Sequence, residues 1–248
     1  MSADGNSLVR AVKLEAKKPG DRLNLDDHIY ERLRTMVANG ELLPGERIVP
    51  EQLTAKMGVS RTPIISALKR LSQGQVLEWR SRLGVYVRRL RPRELALIFE
   101  VREVLEGLAA RRAAETVAPE QIGQLRALFK DLDTTESPAN RHRYIRQDYL
   151  FHTGLLELAN SGPLYRTMDS VNILVLAFTG GALRPIHEVL REHEAILTAL
   201  AAHDQVGAEA AARAHVHRSV EWLLQQADSF ESSEKHLSGR QLREASPL

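Results

Sequence analysis

The sequence contains no cysteine, only 5% aromatic residues and no long hydrophobic run. The absence of cysteine excludes a disulfide framework and a thiolate metal site. The longest apolar run covers residues 173–178, far short of the roughly 20 residues that cross a bilayer as a helix. The N-terminus also lacks the apolar core of a signal peptide. We therefore expect a soluble, cytoplasmic protein without a membrane partner.

The charges are distributed unevenly along the chain. Residues 1–95 hold 18 Lys and Arg against 11 Asp and Glu, whereas residues 96–248 hold 16 against 21. A basic N-terminal part followed by an acidic remainder is what phosphate binding at one end of the chain requires. Chance variation in surface charge is the alternative.

Residues 50–71 have the pattern of two short helices joined by a tight turn. Gly58 suits the left-handed residue that ends the first helix, and Ser60 is a good N-cap for the second. Ile64 and Leu68 then repeat at the spacing of a buried helical face. The pattern is typical of a helix-turn-helix, whose second helix enters the major groove of DNA. An ordinary helical hairpin is the alternative.

The segments on either side of this motif predict a winged helix. Residues 74–87 have the pattern of a β-hairpin with a basic turn at residues 80–84, and Trp79 is expected to pack in the core or between domains. The preceding amphipathic helix ends near residues 39–40. Its apolar face is marked by Leu25, Ile29, Leu33 and Met36.

The remainder of the chain has helical patterns only. They run over residues 93–117, 119–133, 138–160, 163–178, 183–203 and 205–229. The sequence therefore predicts a mainly α protein, with an N-terminal winged helix-turn-helix followed by an all-α bundle of about six helices. The predicted divisions are a flexible arm at 1–22, the winged helix at 23–90, the bundle at 93–230 and a polar tail at 231–248.

Four residues of the predicted bundle are candidate metal ligands. Asp148 and His152 lie four residues apart, on one face of one predicted helix. His193 and His215 lie on two others. One carboxylate and three imidazoles suit Zn, Ni, Mn or Fe, and bundles build such sites from inward-facing side chains of different helices. With nine histidines in the chain, hydrogen-bonded or surface histidines are the alternative.

Residues 25–90 resemble the DNA-binding domain of GntR-type bacterial transcription regulators. The resemblance rests on Leu-Pro-Gly-Glu-Arg at 43–47, Met-Gly-Val-Ser-Arg-Thr-Pro at 57–63 and Gly-Val-Tyr-Val at 84–87. It implies that Arg47 contacts phosphate and that Gly84 lies at the wing tip. The predicted DNA-binding residues are Arg47, Ser60, Arg61, Thr62, Pro63, Ile65, Ser66, Arg80, Arg82 and Gly84.

The chain departs from the family pattern inside the recognition helix. Ile65 and Ser66 stand where the family usually has Arg and Glu, and Val49 replaces the usual polar cap of the preceding helix. The missing Arg removes a guanine contact of a type that contributes about 1–3 kcal/mol of discrimination. Ile65 is suited instead to contact a thymine methyl group, so the usual operator core is not expected to carry over unchanged.

Residues 93–229 resemble the FCD effector domain of the FadR subgroup of GntR regulators. The matches are Arg102-x-x-Leu-Glu106, Asp148-x-x-x-His152, Glu192-His193 and an Ala-rich helix reaching His215. Many FCD domains bind a metal through one Asp and three His. The resemblance therefore assigns that role to Asp148, His152, His193 and His215.

A small organic acid is the expected ligand beside such a metal, because a five- or six-coordinate ion keeps positions free for a carboxylate. Arg102 is one candidate contact, since an inward-facing Arg needs an anionic partner. An intramolecular pair with Glu106 is the alternative. Asn172 is a second candidate because it interrupts an apolar series. A helix–helix hydrogen bond is its alternative.

The sequence thus predicts a ligand-responsive bacterial transcription regulator and not an enzyme. Its expected partners are a palindromic double-stranded DNA operator, a small carboxylate effector and a second copy of the chain. The alternative is a metal-dependent enzyme built on the Asp/His cluster, for which the DNA-binding domain would have no use. A DNA-packaging protein without an effector is a third, weaker reading.

Overall fold

The computed structural model describes residues 25–38, 41–132, 137–179 and 183–244. Within these ranges the protein has nine helices and one three-stranded sheet, which confirms the mainly α fold class. No helix among them has the length and apolar content needed to cross a membrane. The predicted arm at 1–22 and the last four residues of the predicted tail lie outside the described ranges.

The N-terminal part contains three helices and the sheet. Its elements are α1 (Leu25–Ala38), β1 (Arg47–Ile48), α2 (Pro50–Met57), α3 (Arg61–Gln73), β2 (Leu77–Arg80) and β3 (Gly84–Val87). Gly58 ends α2 with a left-handed φ of 66°, where a residue without a Cβ avoids a steric cost. Ile64 and Leu68 of α3 are fully buried, as their spacing predicted. Ser60 precedes α3 in extended conformation, and its side chain makes no capping bond.

The hairpin formed by β2 and β3 has the predicted turn, and β1 joins the other side of β3 to give the order β1-β3-β2. The sequence did not predict β1, because a two-residue strand is too short to show an alternating pattern. The expectation that Trp79 packs in the core or between domains is wrong. Its side chain is 47% exposed, because residues 79–83 form the exposed end of the hairpin.

Six helices follow, as the sequence predicted. They are α4 (Pro92–Thr116), α5 (Pro119–Ala127), α6 (Pro138–Leu158), α7 (Gly162–Thr179), α8 (Ile186–Ala201) and α9 (Gln205–Glu244). The predicted boundary at residue 229 has no proline to stop the helix, and α9 continues to Glu244. Helix α4 contacts α6, α7, α8 and α9. Fully buried alanines along α4 and α9, such as Ala113 and Ala212, let these two helices pack closely.

Helix α7 connects the bundle to the N-terminal part. Arg34 of α1 donates from Nη1 to Asp169 Oδ2 at 2.7 Å, and its Nη2 donates to Oδ1 and to the Asp169 carbonyl. Leu174, further along α7, packs against the core of the N-terminal part. One charged and one apolar contact of the same helix therefore join the two parts of the protein.

Candidate metal centre and nucleic-acid interface

The four predicted metal ligands come together inside the bundle. Asp148 and His152 lie one turn apart on α6, His193 lies on α8 and His215 on α9. One ring nitrogen of each histidine lies within 4.8 Å of those of the other two. Asp148 Oδ1 lies 3.5 Å from His193 Nε2 and 3.7 Å from His152 Nε2. These distances bring one carboxylate oxygen and three imidazoles into one cluster.

Of the four residues, His193 has the environment most typical of a metal ligand. Both of its ring nitrogens are buried, and neither has a hydrogen-bond partner among the described residues. Phe151 stacks on the ring with the centroids 4.1 Å apart and holds it in place. An unsatisfied buried polar group costs about 1–3 kcal/mol, so native proteins almost always supply a partner. A metal–nitrogen bond would satisfy one of the two ring nitrogens.

The other two histidines are oriented by carboxylates. His152 Nδ1 lies 2.6 Å from Glu106 Oε2, and His215 Nδ1 lies 2.8 Å from Glu192 Oε2. Because an ionised carboxylate only accepts hydrogen bonds, each Nδ1 carries the proton and donates it. Each Nε2 atom then carries a lone pair that is available to a metal, and the two atoms lie 3.4 Å apart. This tautomer is the one that carboxylate partners select in metal-binding histidines.

Each of these carboxylates is held in turn by an arginine. Arg102 pairs with Glu106 through its Nε, and Arg184 donates from Nη1 to Glu192 at 2.8 Å. Burial raises the pKa of Glu106, but Arg102 and the neighbouring histidine outweigh it and bring the pKa to about 2. Burial likewise raises the pKa of Glu192, but Arg184 and His215 outweigh it and bring the pKa to about 2. Both carboxylates are therefore ionised at neutral pH.

The electrostatics of the cluster also suit cation binding. Burial lowers the pKa of His193 well below its usual value, and burial lowers the pKa of His215 as well. Burial also lowers the pKa of His152, but Glu106 and Asp148 together outweigh it and the net shift of the pKa is upward. Burial raises the pKa of Asp148, yet the neighbouring histidines bring it far below its usual range. The cluster thus offers an ionised carboxylate and mainly neutral imidazoles.

A cavity of about 70 Å³ adjoins the cluster, and both predicted ligand contacts line it. Arg102 pairs with Glu106, so the intramolecular alternative does form. Its two terminal nitrogens nevertheless make no hydrogen bond to any described residue. Asn172 is only 5% exposed and likewise has no hydrogen-bond partner in the described ranges, so no helix–helix bond occupies it there.

The sequence reasoning missed Glu106, Glu192 and Arg184 as the groups that orient the histidines. The spacing of Arg102 and Glu106 gave one signal, because opposite charges four residues apart on a helix can pair. Arg184 gave none, since it precedes α8 in a loop and reaches Glu192 eight residues later. Only the packing of α8 against α9 brings that pair to His215.

The start of α3 presents three of the ten predicted DNA-binding residues to solvent. Ser60, Arg61 and Thr62 are exposed. The Arg61 side chain is 69% exposed and forms an ion pair with Glu51, whose side chain is also exposed. Two further predicted residues, Ile65 and Ser66, are partly buried. One more, Pro63, is buried against the core, because its position in the first turn of α3 faces inward.

The remaining predicted contacts lie on the sheet and its turn. Arg47, Arg80 and Arg82 are exposed, and Arg80 stacks on the Tyr86 ring with its guanidinium carbon 4.2 Å from the ring centroid. Gly84 has a φ of 103°, which disfavours any residue with a Cβ. The sheet therefore presents three exposed arginines, two on the hairpin and Arg47 on β1.

Comparisons with known proteins agree with this architecture. Residues 25–87 match the family model for bacterial regulatory proteins of the gntR family, and residues 97–218 match that for the FCD domain. The HTH-type transcriptional regulator YdhC of Bacillus subtilis (strain 168) is 29% identical over 203 residues, which cover 78% of this chain and 88% of that protein. The HTH-type transcriptional regulator McbR of Escherichia coli (strain K12) is 24% identical over 209 residues, 82% of this chain and 95% of McbR.

A solved structure shows the same fold. That of E. coli McbR/YncC superposes with a TM-score of 0.68 at 23% identity, over 82% of this chain and 99% of that chain. The matched families and relatives are transcription regulators and not enzymes, so the alternative of a metal-dependent enzyme is set aside. The chain belongs to the GntR family of bacterial transcription regulators and carries a GntR helix-turn-helix domain followed by an FCD domain.

Proposed function

We propose that the protein binds a two-fold symmetric operator as a homodimer and changes its DNA binding when a small organic acid enters a metal-assisted site in the bundle. The observation that carries the proposal is the cluster around His193, whose two buried ring nitrogens have no partner in the described ranges. The cluster adjoins a cavity lined by two further polar groups that make no hydrogen bond in the described ranges, the terminal nitrogens of Arg102 and the side-chain amide of Asn172. A binding site of this kind in a DNA-binding regulator is suited to sensing.

Asp148, His152, His193 and His215 would hold the metal. A bound divalent ion (Zn, Ni, Mn or Fe) supplies positive charge and open coordination positions for a carboxylate. Two of the histidines are already fixed in the required tautomer by their Nδ1 hydrogen bonds to glutamates. The terminal nitrogens of Arg102 provide additional donors for an acid in the cavity.

Replacing His193 by Ala tests the metal site. We expect His193→Ala to lower the affinity for Zn²⁺, Ni²⁺ or Mn²⁺ by at least about tenfold, since even partners of metal ligands typically contribute 10–100-fold. The matched control is His187→Ala, because His187 is an exposed histidine on the same helix. Metal content per chain and a competitive chelator titration provide the measurement. Equal affinity in wild type and His193→Ala would refute the metal site.

The surface formed by the start of α3 and the hairpin would bind the operator. Arg61 and Thr62 are exposed at the position from which a recognition helix reaches base edges. The hairpin carries two further exposed arginines, Arg80 and Arg82, which suit phosphate or minor-groove contacts. This arrangement separates base reading by α3 from positioning by the hairpin and Arg47.

An Arg61→Ala variant tests the base-reading role. Loss of a base contact costs about 1–3 kcal/mol, so we expect roughly 5- to 150-fold weaker binding to an operator selected from random DNA, with a smaller loss on unrelated DNA. Arg126→Ala is the control, because it removes the same charge from an exposed site in the bundle. Fluorescence anisotropy at fixed salt measures both. An equal loss on operator and unrelated DNA would mean that Arg61 contacts only the backbone.

An apolar stripe on α4 supports the homodimer. Leu97, Val101, Val104 and Leu108 are 61%, 50%, 51% and 42% exposed and recur every three or four residues, on one face. Contiguous exposed apolar side chains mark an interaction surface. Contact between the same stripes of two copies is isologous, and it gives the two-fold symmetry that a palindromic operator requires.

Charge placed in this stripe should separate the subunits. We expect Val101→Glu combined with Val104→Glu to convert dimer to monomer at micromolar concentration in sedimentation velocity, because like charges would face each other in a buried contact. Leu83→Glu is the control, since Leu83 is 56% exposed at the hairpin tip. If the double variant remains dimeric with an unchanged sedimentation coefficient, the stripe is not the dimer contact.

Helix α7 would transmit ligand binding to the DNA-binding part. Asn172 lines the cavity, and Asp169, one turn earlier, pairs with Arg34 of α1. Leu174 of the same helix packs against the N-terminal core. An acid that contacts Asn172 therefore acts on the helix that positions α1. The acid would change operator affinity only if α7 has two positions and the acid binds one of them more tightly than the other.

Breaking the α7–α1 ion pair should reduce this coupling. In wild type we expect metal plus a short carboxylic acid to change operator affinity by roughly 5- to 150-fold, the usual range of allosteric coupling. Asp169→Asn should bring that factor closer to one and leave metal affinity unchanged. Glu31→Gln is the control, because Glu31 contacts the same Arg34 within α1. If metal plus acid changes operator affinity by the same factor in Asp169→Asn as in wild type, this route is excluded.

A further inference from the structure

We infer that the acid recognised in the cavity is a short-chain monocarboxylate, with one negative charge and an apolar body, and not a dicarboxylate. The inference rests on the proposed ligand site and specifies which acids that site accepts. It follows from three properties of the cavity: the net charge of the groups around it, its free hydrogen-bond donors and its apolar wall.

The net charge of the groups around the cavity matches one bound anion. Two of the positive side chains are each paired with a glutamate, Arg102 with Glu106 and Arg184 with Glu192. Glu192 also pairs with Arg218 at 3.1 Å between Oε1 and Nη1, but the Arg218 side chain is 51% exposed and its charge is screened by solvent. Without Arg218, Asp148 leaves these groups with one net negative charge. With a divalent ion bound at the cluster the same groups carry one net positive charge, which a single carboxylate neutralises. A second carboxylate in the cavity would be a buried charge without a partner, which is costly.

The free donors of Arg102 and Asn172 suit one carboxylate. Among the described residues lining the cavity, the terminal nitrogens of Arg102 and the amide of Asn172 are polar groups without hydrogen bonds. Two other polar groups there are occupied. Tyr144 donates to Asp148 at 2.9 Å, and the Ser219 hydroxyl accepts from Arg184 Nε at 3.3 Å. One planar guanidinium and one amide suit the two oxygens of a single acid group.

The rest of the cavity is apolar and small. Its hydrocarbon wall consists of Phe99, Ile145, Val175, Leu183, Val189 and Val216. The volume of about 70 Å³ corresponds to roughly five water molecules at about 10–15 Å³ each. An acid of about four to six non-hydrogen atoms fits this space. Its hydrocarbon body would lie against the apolar wall, which gives a second carboxylate no hydrogen-bond partner.

Calorimetric titration of the full-length, metal-loaded protein tests the inference with three probes of equal carbon number. These are butanoate, succinate and butanamide, which carry one, two and no negative charges. We expect butanoate to bind at least about tenfold more tightly than either of the others. If succinate binds as tightly as butanoate or more tightly, the inference is wrong although the proposed ligand site stands. If no acid binds to protein that does bind metal, both fail.

Two variants separate the charge argument from the donor argument. Leu183→Arg adds a positive charge at a partly buried position of the cavity wall, and we expect it to reduce the preference for butanoate over succinate about tenfold. An unchanged preference would contradict the charge argument. Asn172→Leu removes one free donor and should weaken butanoate binding about tenfold without changing metal affinity. Gln124→Leu, at an exposed position on α5, is its control, and equal butanoate affinity in the two variants would exclude Asn172.

Discussion

The hydrogen bonds that His152 and His215 donate to Glu106 and Glu192 are the interactions on which the rest of the site depends. The Nε2 atoms of the two histidines face each other at 3.4 Å in the buried core, and each ring is fixed by a glutamate that an arginine holds. Burying these groups without partners would be costly, so α4, α6, α8 and α9 must meet with every charge in place. The polar cluster therefore specifies how these four helices pack, and not only what the site binds.

Helix α4 has a different task on each of its faces. Arg102 and Glu106 point into the polar cluster, alanines such as Ala113 pack against α9, and the stripe around Val101 faces solvent. A rigid helix that carries both a ligand-site residue and the proposed dimer contact cannot move at one without moving at the other. In the proposed dimer, ligand binding at Arg102 and the spacing of the two DNA-binding domains would therefore be joined by one element, in addition to the proposed route through α7.

Local patterns in the sequence were enough for most of the fold. The turn at Gly58 and the periodicity of Ile64 and Leu68 predicted the helix-turn-helix, and helical periodicity predicted all six bundle helices. The four metal-ligand candidates depended on the family resemblance as well, because spacing alone does not show convergence of three helices. The roles of Arg184 and Glu192 were not predictable, since their contact with α9 depends on tertiary packing. The short strand β1 and the exposure of Trp79 depend in the same way on where the sheet ends.

The replacement of the family's usual Arg by Ile65 has a structural consequence for operator recognition. Ile65 is partly buried and packs against the core of the N-terminal part. The rest of its side chain is accessible on the surface of α3. An Arg at this position would extend into solvent and provide a bidentate donor, whereas Ile65 adds apolar contact and no donor. In the proposed operator complex, the hydrogen bonds to bases would then come from the first turn of α3, where Arg61 and Thr62 are exposed. Sequence preference in this regulator should accordingly be concentrated on the bases that face that first turn, with thymine favoured beside Ile65.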